Sequence, residues 1–513
     1  MGVNMKKLIA ILLMVVMCIT VLASCGGNNA ETTPNNENNQ NTPGTNSGDT
    51  NAEQNPGEAP DEGDKLVIDE TTYGGYQYTV LVSGNIDYKH GSQHYGNDFE
   101  YDENSNESLS EAKHRWIVSI QEKFDITIEV DSKLKFNDCT GSGQGYMELQ
   151  KSYQSGDVNY DSCMVGTYDI CNAARNGYLA DLKTIEYINL NNSWWDQVAN
   201  KDLCIQDKMY YTTGDISIVD NVFTHCVFFN KDMIKSYNLE NPYDIVKNDQ
   251  WTLDKMIELI KAGSDTSSEG TSDNNVYGLL TWNDSMGQIL ASADERIATV
   301  KDGELTFTLY NERTQTLYDK YTSIALNNAY AVNYQSISKQ KEWDKTRAEI
   351  FDTDRALFYM NLLSTTIHHR DSDTDFGILP YPKLDADQEN YGHLVSSFHT
   401  EFFCIPYFHN EDVSVGSITE YMAYMGQQTI KPGYYEDTLI GKHIRDEESS
   451  EMLDIIFASR VFDVGIYYKI ANIPSQLTNI FKNTTSFSNI YNQTSVQAPT
   501  QIESINNAFL LHE

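Results

Sequence analysis

Short runs of β-branched and aromatic residues alternate with amphipathic helical patterns from residue 65 onward, and this alternation leaves few folds open to the chain. Tyr78–Val82 (YTVLV) and Ile126–Val130 (ITIEV) are predicted strands, and residues 107–124 between them place apolar side chains on one helical face. A third predicted strand, Ser162–Val165, follows. Strand, helix and strand in succession predict an α/β fold with an open, doubly wound sheet.

The alternation continues toward the C-terminus. Further predicted strands are Met209–Thr213, Cys226–Phe229, Val276–Leu280, Ala356–Met360, Asp375–Leu379 and Glu401–Pro406. Residues 251–260 and 447–460 have helical periodicity. In open α/β sheets the ligand lies at the carboxyl ends of the strands, so the loops that follow these runs are the candidates for a binding site.

The composition predicts a folded body and excludes one class of partner. The 513 residues are 40% hydrophobic and 11% aromatic, which is enough to bury a sizeable core. Thirty-six Lys and Arg oppose 74 Asp and Glu, so the formal net charge is −38. A surface of this charge repels phosphate backbones, and we therefore expect no nucleic-acid partner.

The first residues have the pattern of an export signal. Two lysines precede an apolar run, Leu8–Val21, which is shorter than the roughly 20 residues that span a bilayer. The run leads into Leu22–Gly26 (LASCG), which resembles the lipobox of bacterial lipoproteins, where the cysteine receives a diacylglycerol. The resemblance implies that residues 1–24 are a signal peptide and that Cys25 is lipidated. The alternative is an ordinary signal peptide, or a membrane anchor, with a coincidental cysteine.

Residues 25–64 join this segment to the folded body. After Cys25 they contain no aromatic residue, no aliphatic residue larger than Ala, and eight acids without a base. Such a stretch cannot bury enough apolar surface to offset its ordering entropy, so we predict a disordered linker. The expected location of the protein is therefore the outer, extracellular face of the cell membrane, where the lipid on Cys25 tethers it.

Six short strings in the body resemble the extracellular solute-binding proteins of ABC importers, in particular the maltose- and oligosaccharide-binding family. In chain order they are Asn176–Leu182 (NGYLADL), Met209–Asp215 (MYYTTGD), Phe229–Ile234 (FNKDMI), Trp251–Met256 (WTLDKM), Ala356–Met360 (ALFYM) and Asp375–Lys383 (DFGILPYPK). The resemblance implies a periplasmic-binding-protein-like fold of two α/β lobes, joined by a hinge, with a ligand cleft between them. Solute binding would close the lobes about that hinge.

The resemblance also implies how the chain divides between the lobes. The implied N-terminal lobe holds residues 65–222 and 350–400, and the implied C-terminal lobe holds residues 223–349 and 401–513. The implied crossings between the lobes lie near residues 220–224, 343–350 and 400–406. Because the family works with a membrane permease, the implied partners are a small solute and the transmembrane subunits of an ABC permease.

A sugar offers hydroxyls at its edges and C–H groups on its faces, so a sugar receptor needs aromatic rings and fixed polar groups. Gly166, Thr167, Tyr168 and Asp169 follow the third predicted strand and resemble the first ligand loop of the family. The Asp169 carboxylate would accept hydroxyl protons from the solute. Its alternative role is to cap the helix that follows.

The other candidate ligand residues each have a structural alternative. Trp194 and Trp195 would form a stacking platform, or they would fill the core of the lobe. Trp282 follows a second-lobe strand and would supply a platform on the far side, or it too would pack in the core. The remaining candidates are Asp215, Asp220, Asn221, Glu401, Tyr434 and Tyr435, the first three of which suit turns and caps equally well.

Motifs for catalysis and for metal binding are incomplete in this sequence. His368 and His369 are adjacent, and neighbouring side chains rarely point to one metal. Asp371–Asp375 resembles a calcium loop, but Phe376 stands where that motif has glycine. Residues 141–145 (GSGQG) lack the lysine of a phosphate-binding loop. We therefore expect no catalytic residue, no metal and no cofactor.

The sequence as a whole favours a lipid-anchored receptor that binds a small solute, an oligosaccharide, and delivers it to an ABC permease. We expect it to act as a monomer and not as an enzyme. Two alternatives stay open, a lipid-anchored secreted glycoside hydrolase and a polysaccharide-binding surface protein without transport. No carboxylate spacing singles out the pair that glycoside hydrolysis needs.

Overall fold

The computed structural model describes residues 64–82, 98–102, 107–134, 141–157, 159–265, 274–338, 342–369, 372–409, 412–444, 446–482 and 485–512. The expected signal peptide, Cys25 and all but the last residue of the expected linker lie outside these ranges. Within the described ranges, no helix is both long enough and apolar enough to cross a membrane.

The strands and helices of the body alternate along the chain. The strands are β1 (Tyr76–Val82), β2 (Ile126–Asp131), β3 (Ser162–Gly166), β4 (His225–Asn230), β5 (Tyr277–Thr281), β6 (Ala298–Lys301), β7 (Glu304–Phe307), β8 (Ala331–Asn333), β9 (Ala356–Leu362), β10 (Phe376–Leu379), β11 (His393–Leu394), β12 (Glu401–Cys404) and β13 (Arg460–Val461). The first α-helices are α1 (Ser108–Phe124), α2 (Gln144–Ser155), α3 (Thr167–Arg175), α4 (Gln197–Leu203), α5 (Val219–Val222), α6 (Lys231–Ser236), α7 (Pro242–Lys247), α8 (Leu253–Ala262), α9 (Ser285–Ser292) and α10 (Glu312–Ala325).

The second half of the body contains more helix than strand. Its α-helices are α11 (Tyr334–Ile337), α12 (Trp343–Phe351), α13 (Thr366–His369), α14 (Val413–Gln428), α15 (Ile430–Tyr434), α16 (Glu447–Ala458), α17 (Val464–Tyr467), α18 (Ile473–Thr478), α19 (Phe487–Thr494) and α20 (Gln497–Leu511). Short 3₁₀ turns lie at Leu182–Thr184, Leu363–Thr365, Tyr407–His409, Ile470–Asn472 and Asn479–Phe481. A π-helix, Tyr435–His443, continues α15.

The first sheet contains four strands in the order β12-β3-β1-β2. β1 runs parallel to β2 and β3, with Val80 opposite Val130, and β12 runs antiparallel to β3, with Phe402 opposite Val165. Every residue of β3 is buried. A near-continuous apolar run is typical of a strand that is covered on both faces, which explains why this segment was recognisable from its residues alone.

The second sheet contains five strands in the order β10-β4-β9-β5-β8. β5 is parallel to β8 and β9, whereas β4 is antiparallel to β9 and β10. The residues of β4, β5, β9 and β10 are all buried. Two small ladders, β11 with β13 and β6 with β7, complete the pairings among the described residues.

Two tryptophans show how the helices are attached to these sheets. Trp116, on the buried face of α1, donates from Nε1 to the carbonyl oxygen of Met422 in α14 at 2.9 Å. Trp251 precedes α8 and donates to the carbonyl oxygen of Pro380, directly after β10, at 2.8 Å. Thr252 caps α8 by accepting from the backbone N–H of Lys255. The WT string therefore both begins a helix and fixes it to the second sheet.

Most of the elements predicted from the sequence are present, with ends that differ by a few residues. The α/β class is confirmed, and each of the two larger sheets contains both parallel and antiparallel pairs. The predicted strand Met209–Thr213 is wrong, since this segment makes only isolated bridges such as that between Thr212 and Phe403. Its aromatic residues are buried, which is the property that the sequence pattern detected.

The strand pairings correct the expected division of the chain. β9 and β10 fall within residues 350–400, which the resemblance places in the N-terminal lobe, yet both belong to the second sheet. β12, expected in the C-terminal lobe, pairs with β3 in the first sheet. Residues 343–350 lie in α12, between two strands of the second sheet, and so make no crossing there. A sequence pattern reveals that a run is extended, but it does not reveal which strand is its neighbour.

Candidate ligand-binding cleft

A cavity with a volume of about 490 Å³ lies where strands of both sheets end. Tyr168, two residues after β3, and Trp282, directly after β5, both line it. Parts of residues 394–399, which lead into β12, and of residues 466–482 complete the wall. Ligands of open α/β sheets bind outside the carboxyl ends of such strands, so this cavity, here called the cleft, is the candidate functional site.

Tyr168 is held in position by two other parts of the chain. Its hydroxyl is hydrogen-bonded to Oγ of Ser397 at 2.8 Å, and Nζ of Lys469 lies 3.8 Å from the centre of its ring. Burial raises the pKa of Tyr168 to about 12, so the hydroxyl stays protonated and can donate to a ligand. Burial also lowers the pKa of Lys469. The first-sheet wall therefore presents a fixed aromatic ring with polar groups around it.

Trp282 forms the opposite part of the wall. Its side chain is 6% exposed, and its Nε1 has no hydrogen-bond partner among the described residues. The indole ring lies beside His225, with 5.7 Å between the ring centres. A buried indole N–H normally finds a partner, and leaving such a donor unpaired costs about 1–3 kcal/mol. An acceptor on a bound ligand would remove that cost.

A chain of uncharged hydrogen-bonding groups lies behind Trp282. Burial lowers the pKa of His225 well below its usual value, so this imidazole is neutral. Nε2 of Gln288 lies 3.3 Å from Nε2 of His225, and Oε1 of the same amide accepts from the Tyr381 hydroxyl at 2.6 Å. The amide therefore donates to the imidazole, which makes Nε2 of His225 the acceptor nitrogen. These bonds fix the polar part of the wall without adding charge.

Asp284 brings a carboxylate to the cleft. Its side chain is exposed, and Oδ1 accepts from Oγ1 of Thr478 at 3.0 Å. Although solvent reaches it, the protein atoms of the walls desolvate the carboxyl and raise its pKa, against the effects of the Thr478 bond and of Lys482. A carboxylate between rings and a lysine can accept hydroxyl protons of a bound sugar.

The segment that carries Lys469 has a strained backbone. Lys469, Ala471 and Asn472 have φ values of 49°, 46° and 56°, in the left-handed region. For residues other than glycine this conformation costs about 1–3 kcal/mol and persists only where the surroundings impose it. Here Gln501 of α20 accepts from the Ala471 N–H at 2.8 Å and donates to the Tyr468 carbonyl at 3.1 Å. The helix thus holds the turn that places Lys469 over Tyr168.

Three other predicted ligand residues lie where β3 meets β12. Gly166 is the last residue of β3 and pairs with Glu401. Thr167 is buried and donates from Oγ1 to the carbonyl oxygen of Thr400 at 2.8 Å. Gly166, Thr167 and Glu401 lie outside the lining of the cleft, and their contacts join the two strands.

Asp169 has a role that the sequence did not predict. It is fully buried, and its carboxylate accepts from the backbone N–H groups of Gly141 at 2.6 Å and of Gly143 and Tyr146 at 3.1 Å. These residues form the glycine-rich turn and the first turn of α2. Asp169 therefore anchors a neighbouring helix, and it neither lines the cleft nor caps its own helix α3.

Trp194 and Trp195 occupy the core, which is the structural alternative to a stacking platform. Their indole N–H groups donate to the two carboxylate oxygens of Glu420 at 3.0 Å and 2.9 Å. Asn192 donates to the same carboxylate at 2.7 Å. Burial raises the pKa of Glu420, although these hydrogen bonds oppose the shift. One carboxylate thus orients both rings, and both lie outside the lining of the cleft.

The remaining predicted residues line a different cavity, here called the second cavity, with a volume of about 680 Å³. They are Asp215, Asp220, Asn221, Tyr434 and Tyr435, and Trp195 lines it as well. The linings of the second cavity and of the cleft have no residue in common. Of the predicted ligand residues, only Tyr168 and Trp282 therefore line the cleft.

Several cleft residues escaped prediction from the sequence. Asp284 could have been found, because it follows Trp282 by two positions in the same predicted loop. His225 precedes a predicted strand and so lies at its amino end, whereas ligand residues were expected at the carboxyl ends of the strands. Ser397 and Lys469 carry no local signal, since their place in the wall depends on how distant segments pack.

The adjacent histidines His368 and His369 lie among other protein groups. Nδ1 of His369 lies 2.7 Å from Oδ1 of Asp352, and burial lowers the pKa of His368 to about 4. Asp371 lies outside the described residues. Among the residues that are described, no group of three or more His, Cys, Asp and Glu side chains could hold a metal ion.

Solved structures with a similar fold are found among binding proteins. A cyclo/maltodextrin-binding protein complexed with maltotetraose matches with a TM-score of 0.54 and 14% identity, over 83% of this chain and 97% of that one. The galacto-N-biose/lacto-N-biose I-binding protein of an ABC transporter from Bifidobacterium longum has a TM-score of 0.54 and 12% identity, over 85% and 98%. An ABC substrate-binding protein from Listeria monocytogenes in complex with cycloalternan has a TM-score of 0.51 and 13% identity, over 84% and 99%. Neither a protein-family model nor a curated protein sequence matches the chain.

These likenesses confirm the fold that the six strings imply. The chain has a mixed α/β fold that matches the two-lobed, periplasmic-binding-protein-like structures named above. Those structures are of binding proteins, with maltotetraose, lacto-N-biose and cycloalternan as their ligands.

Proposed function

We propose that this protein is an extracellular receptor that binds an oligosaccharide in the cleft and delivers it to an ABC permease. The observation that carries the proposal is that Tyr168 and Trp282, which follow strands of different sheets, line one cavity together with Asp284. Rings can stack on the C–H faces of a sugar, and the carboxylate can accept its hydroxyl protons. The volume of about 490 Å³ lies within the roughly 300–1,000 Å³ of small-molecule sites.

We further propose that the receptor is a monomer and leaves its solute chemically unchanged. The binding proteins that share its fold support the second of these two points. The cleft also presents Asp284 beside a lysine and a threonine, and not opposite a second carboxylate of its lining. Inverting and retaining hydrolysis both use two carboxyl groups that flank the scissile bond. A glycoside hydrolase is therefore the outcome that the following experiment has to exclude.

Calorimetry with maltotetraose, lacto-N-biose and cycloalternan, followed by chromatography of the recovered sugar, tests the proposal. We expect at least one of these sugars to bind in the cleft and to be recovered intact. Tyr168→Ala should weaken that binding at least tenfold, because it removes a ring and a donor from the wall. Tyr153→Ala, at an exposed tyrosine outside the cleft, is the matched control and should have no effect.

Three results would each overturn a part of the proposal. Shortened sugar in the recovered sample would make the protein a hydrolase. Binding that Tyr168→Ala leaves unchanged would move the site elsewhere in the chain. A change in the sedimentation coefficient on dilution would contradict the monomer.

We also propose that a diacylglycerol on Cys25 tethers the receptor to the outer face of the membrane. Support comes from the apolar run Leu8–Val21 and the LASCG string that follows it. We expect Cys25→Ala to abolish incorporation of labelled palmitate and to release the protein from the membrane fraction of a bacterial host. Cys18→Ala, within the apolar run, is the control and should change neither. A Cys25→Ala protein that stays in the membrane would indicate that the apolar run is the anchor.

A further inference from the structure

The second cavity is larger than the cleft and is formed by three separate parts of the fold. One wall comes from residues 193–198 and 214–221, and another comes from residues 427–436, at the end of α14 and in α15. The third comes from residues 454–460, at the end of α16 and the start of β13. Its position and lining set it apart from the site on which the proposed function rests.

Arg460 organises the polar floor of the second cavity. Its Nη1 donates to Oδ2 of Asp220 at 2.8 Å and to Oδ1 of Asn221 at 2.5 Å. Its Nη2 forms an ion pair with Asp196. The guanidinium thus fixes both carboxylates, as a planar group with several donors can do.

Two atoms of this floor are left without hydrogen bonds within the described part of the chain: Oδ1 of Asp220 and Nε of Arg460. Asp220 is 1% exposed and lines the cavity, and its Oδ1 is buried without a hydrogen-bond partner among the described residues. Nε of Arg460 is a buried donor without an acceptor. Hydroxyl groups can both donate and accept, and therefore a hydroxylated ligand offers partners of both kinds.

The upper part of the second cavity adds rings and a further pair of charges. Nζ of Lys431 lies 3.0 Å from the carboxylate of Asp215. The Tyr435 hydroxyl donates to Asp454 at 2.5 Å, and the Tyr435 ring packs edge to face on Phe457 at 5.7 Å. Aromatic surface beside fixed donors and acceptors is the combination that recognises the faces and edges of a sugar or polyol.

The charge of the lining excludes other classes of small ligand. Five carboxylates and two cations, Lys431 and Arg460, line the second cavity. The excess of negative charge repels phosphates and carboxylates. Lys431 and Arg460 already pair with the buried carboxylates of Asp215, Asp196 and Asp220, so these acids have little attraction left for an added cation. A neutral ligand is therefore favoured.

We propose that the second cavity is a second binding site, which takes a neutral polyhydroxylated solute between Asp220, Arg460 and the rings of Tyr435 and Phe457. It shares a chemical class of ligand with the proposed function but uses none of the residues of the cleft. A ligand there would contact the segments that carry α5, α15 and β13 at the same time.

Calorimetry and saturation-transfer NMR with maltose, glucose and glycerol test the second site in the full chain. Three tyrosine variants separate the sites: Tyr435→Ala in the second cavity, Tyr168→Ala in the cleft, and Tyr491→Ala, an exposed control outside both. We expect Tyr435→Ala to weaken one binding event at least tenfold and to leave a second event intact. Tyr168→Ala should have the reverse pattern, and Tyr491→Ala should change neither.

Asp220→Asn gives an independent check that does not alter a ring. It replaces the free acceptor by an amide of the same size, so it should weaken the event that Tyr435→Ala weakens. Both variants should keep the thermal unfolding midpoint well above the assay temperature. Binding by these probes that neither variant alters, or an absence of binding outside the cleft, would overturn the second site. Loss in Tyr435→Ala with no effect of Tyr168→Ala would support it and would contradict the proposed function of the cleft.

Discussion

The cleft and the second cavity both combine aromatic rings with acids, but their polar groups are paired differently. In the cleft, Nε1 of Trp282 is unpaired within the described residues, and the Asp284 carboxylate is exposed and accepts from a threonine. In the second cavity, Arg460 holds Asp196 and Asp220 at once. The polar groups of the cleft have few protein partners, whereas those of the second cavity are largely bonded to each other.

Because of this difference, we expect substitutions in the two cavities to differ in how they affect ligand affinity and the free energy of unfolding. Polar groups with few protein partners exchange water for a ligand at little cost to the fold. A buried ion pair has already lost its water, so removal of one partner leaves an unpaired buried charge. We therefore expect substitutions in the cleft to act mainly on ligand binding, and substitutions around Arg460 to lower the free energy of unfolding in addition to any effect on binding in the second cavity.

The largest expected effect is that of Arg460→Met. The substitution keeps much of the side-chain volume but leaves the carboxylates of Asp196 and Asp220 buried without their cation. Removal of one partner of a buried pair costs about 3–5 kcal/mol, and we expect a loss of that size in the free energy of unfolding. Urea denaturation followed by circular dichroism measures it.

An exposed arginine provides the control for that experiment. Arg115 pairs with Glu111 on α1 at 4.0 Å, and both side chains are more than half exposed. Surface pairs of this kind contribute about 0–1 kcal/mol, so Arg115→Met should change the stability little. Similar losses in the two variants would show that the Arg460 pairs contribute no more than surface pairs, and the contrast between the two cavities would disappear.

Glu420→Ala tests whether the Trp194 and Trp195 rings are structural. The variant leaves both indole N–H groups, together with the Asn192 amide, without their buried acceptor. We expect the free energy of unfolding to fall by about 2–3 kcal/mol, and the affinity for a sugar in the cleft to stay unchanged. Urea denaturation and calorimetry measure the two quantities. A loss of affinity at constant stability would return these rings to the ligand site.

The contrast also shows which parts of the fold can be predicted from sequence. Buried strands such as β3 and β9 were predictable because apolar runs are a local property. Sheet membership was not, because β12 and β9 look alike as extended runs, and only long-range hydrogen bonding assigns one to the first sheet and one to the second. For this reason the sheet membership of β9, β10 and β12 differs from the expected division of the chain at residues 350 and 401.

The candidate site divides along the same line. Tyr168 and Trp282 were predictable because each follows a recognisable strand, and the carboxyl end of a strand is where ligands bind. Asp169 has the same local signal, yet its carboxylate turns to the N–H groups of Gly141 and Tyr146. Lys469 lines the cleft because of a strained turn, and no local sequence pattern predicts that position.

Asp220→Asn tests how the second cavity affects the pH dependence of the free energy of unfolding. Burial raises the pKa of Asp220 to about 7, with Asp196 and Asp215 adding to the shift and Arg460 opposing it. The folded protein then holds a proton that the unfolded chain releases near pH 4, so the stability falls as the pH rises from about 4 to about 7. Without this group, the fall in the free energy of unfolding between pH 5 and pH 7 should be smaller by about 1–2 kcal/mol.

Urea denaturation at several pH values measures that slope, with Asp302→Asn at an exposed turn as the control. The control should keep the wild-type slope, because its carboxyl is exposed in both the folded and the unfolded chain. A slope that Asp220→Asn leaves unchanged would mean that the Arg460 ion pair keeps the carboxyl ionised across this range.

The smallest expected effect is that of Trp282→Phe, which removes the indole N–H and keeps a ring. Because Nε1 has no partner among the described residues, the free energy of unfolding should not fall, whereas the affinity for a cleft sugar should drop three- to tenfold, or about 1 kcal/mol. Trp251→Phe is the matched control, since that indole donates to Pro380. It should lower the stability by about 1 kcal/mol and leave the affinity unchanged. If Trp282→Phe instead lowered the stability in urea denaturation and left the affinity unchanged in calorimetry, as expected for Trp251→Phe, then Trp282 would be a core residue and would not contact the ligand.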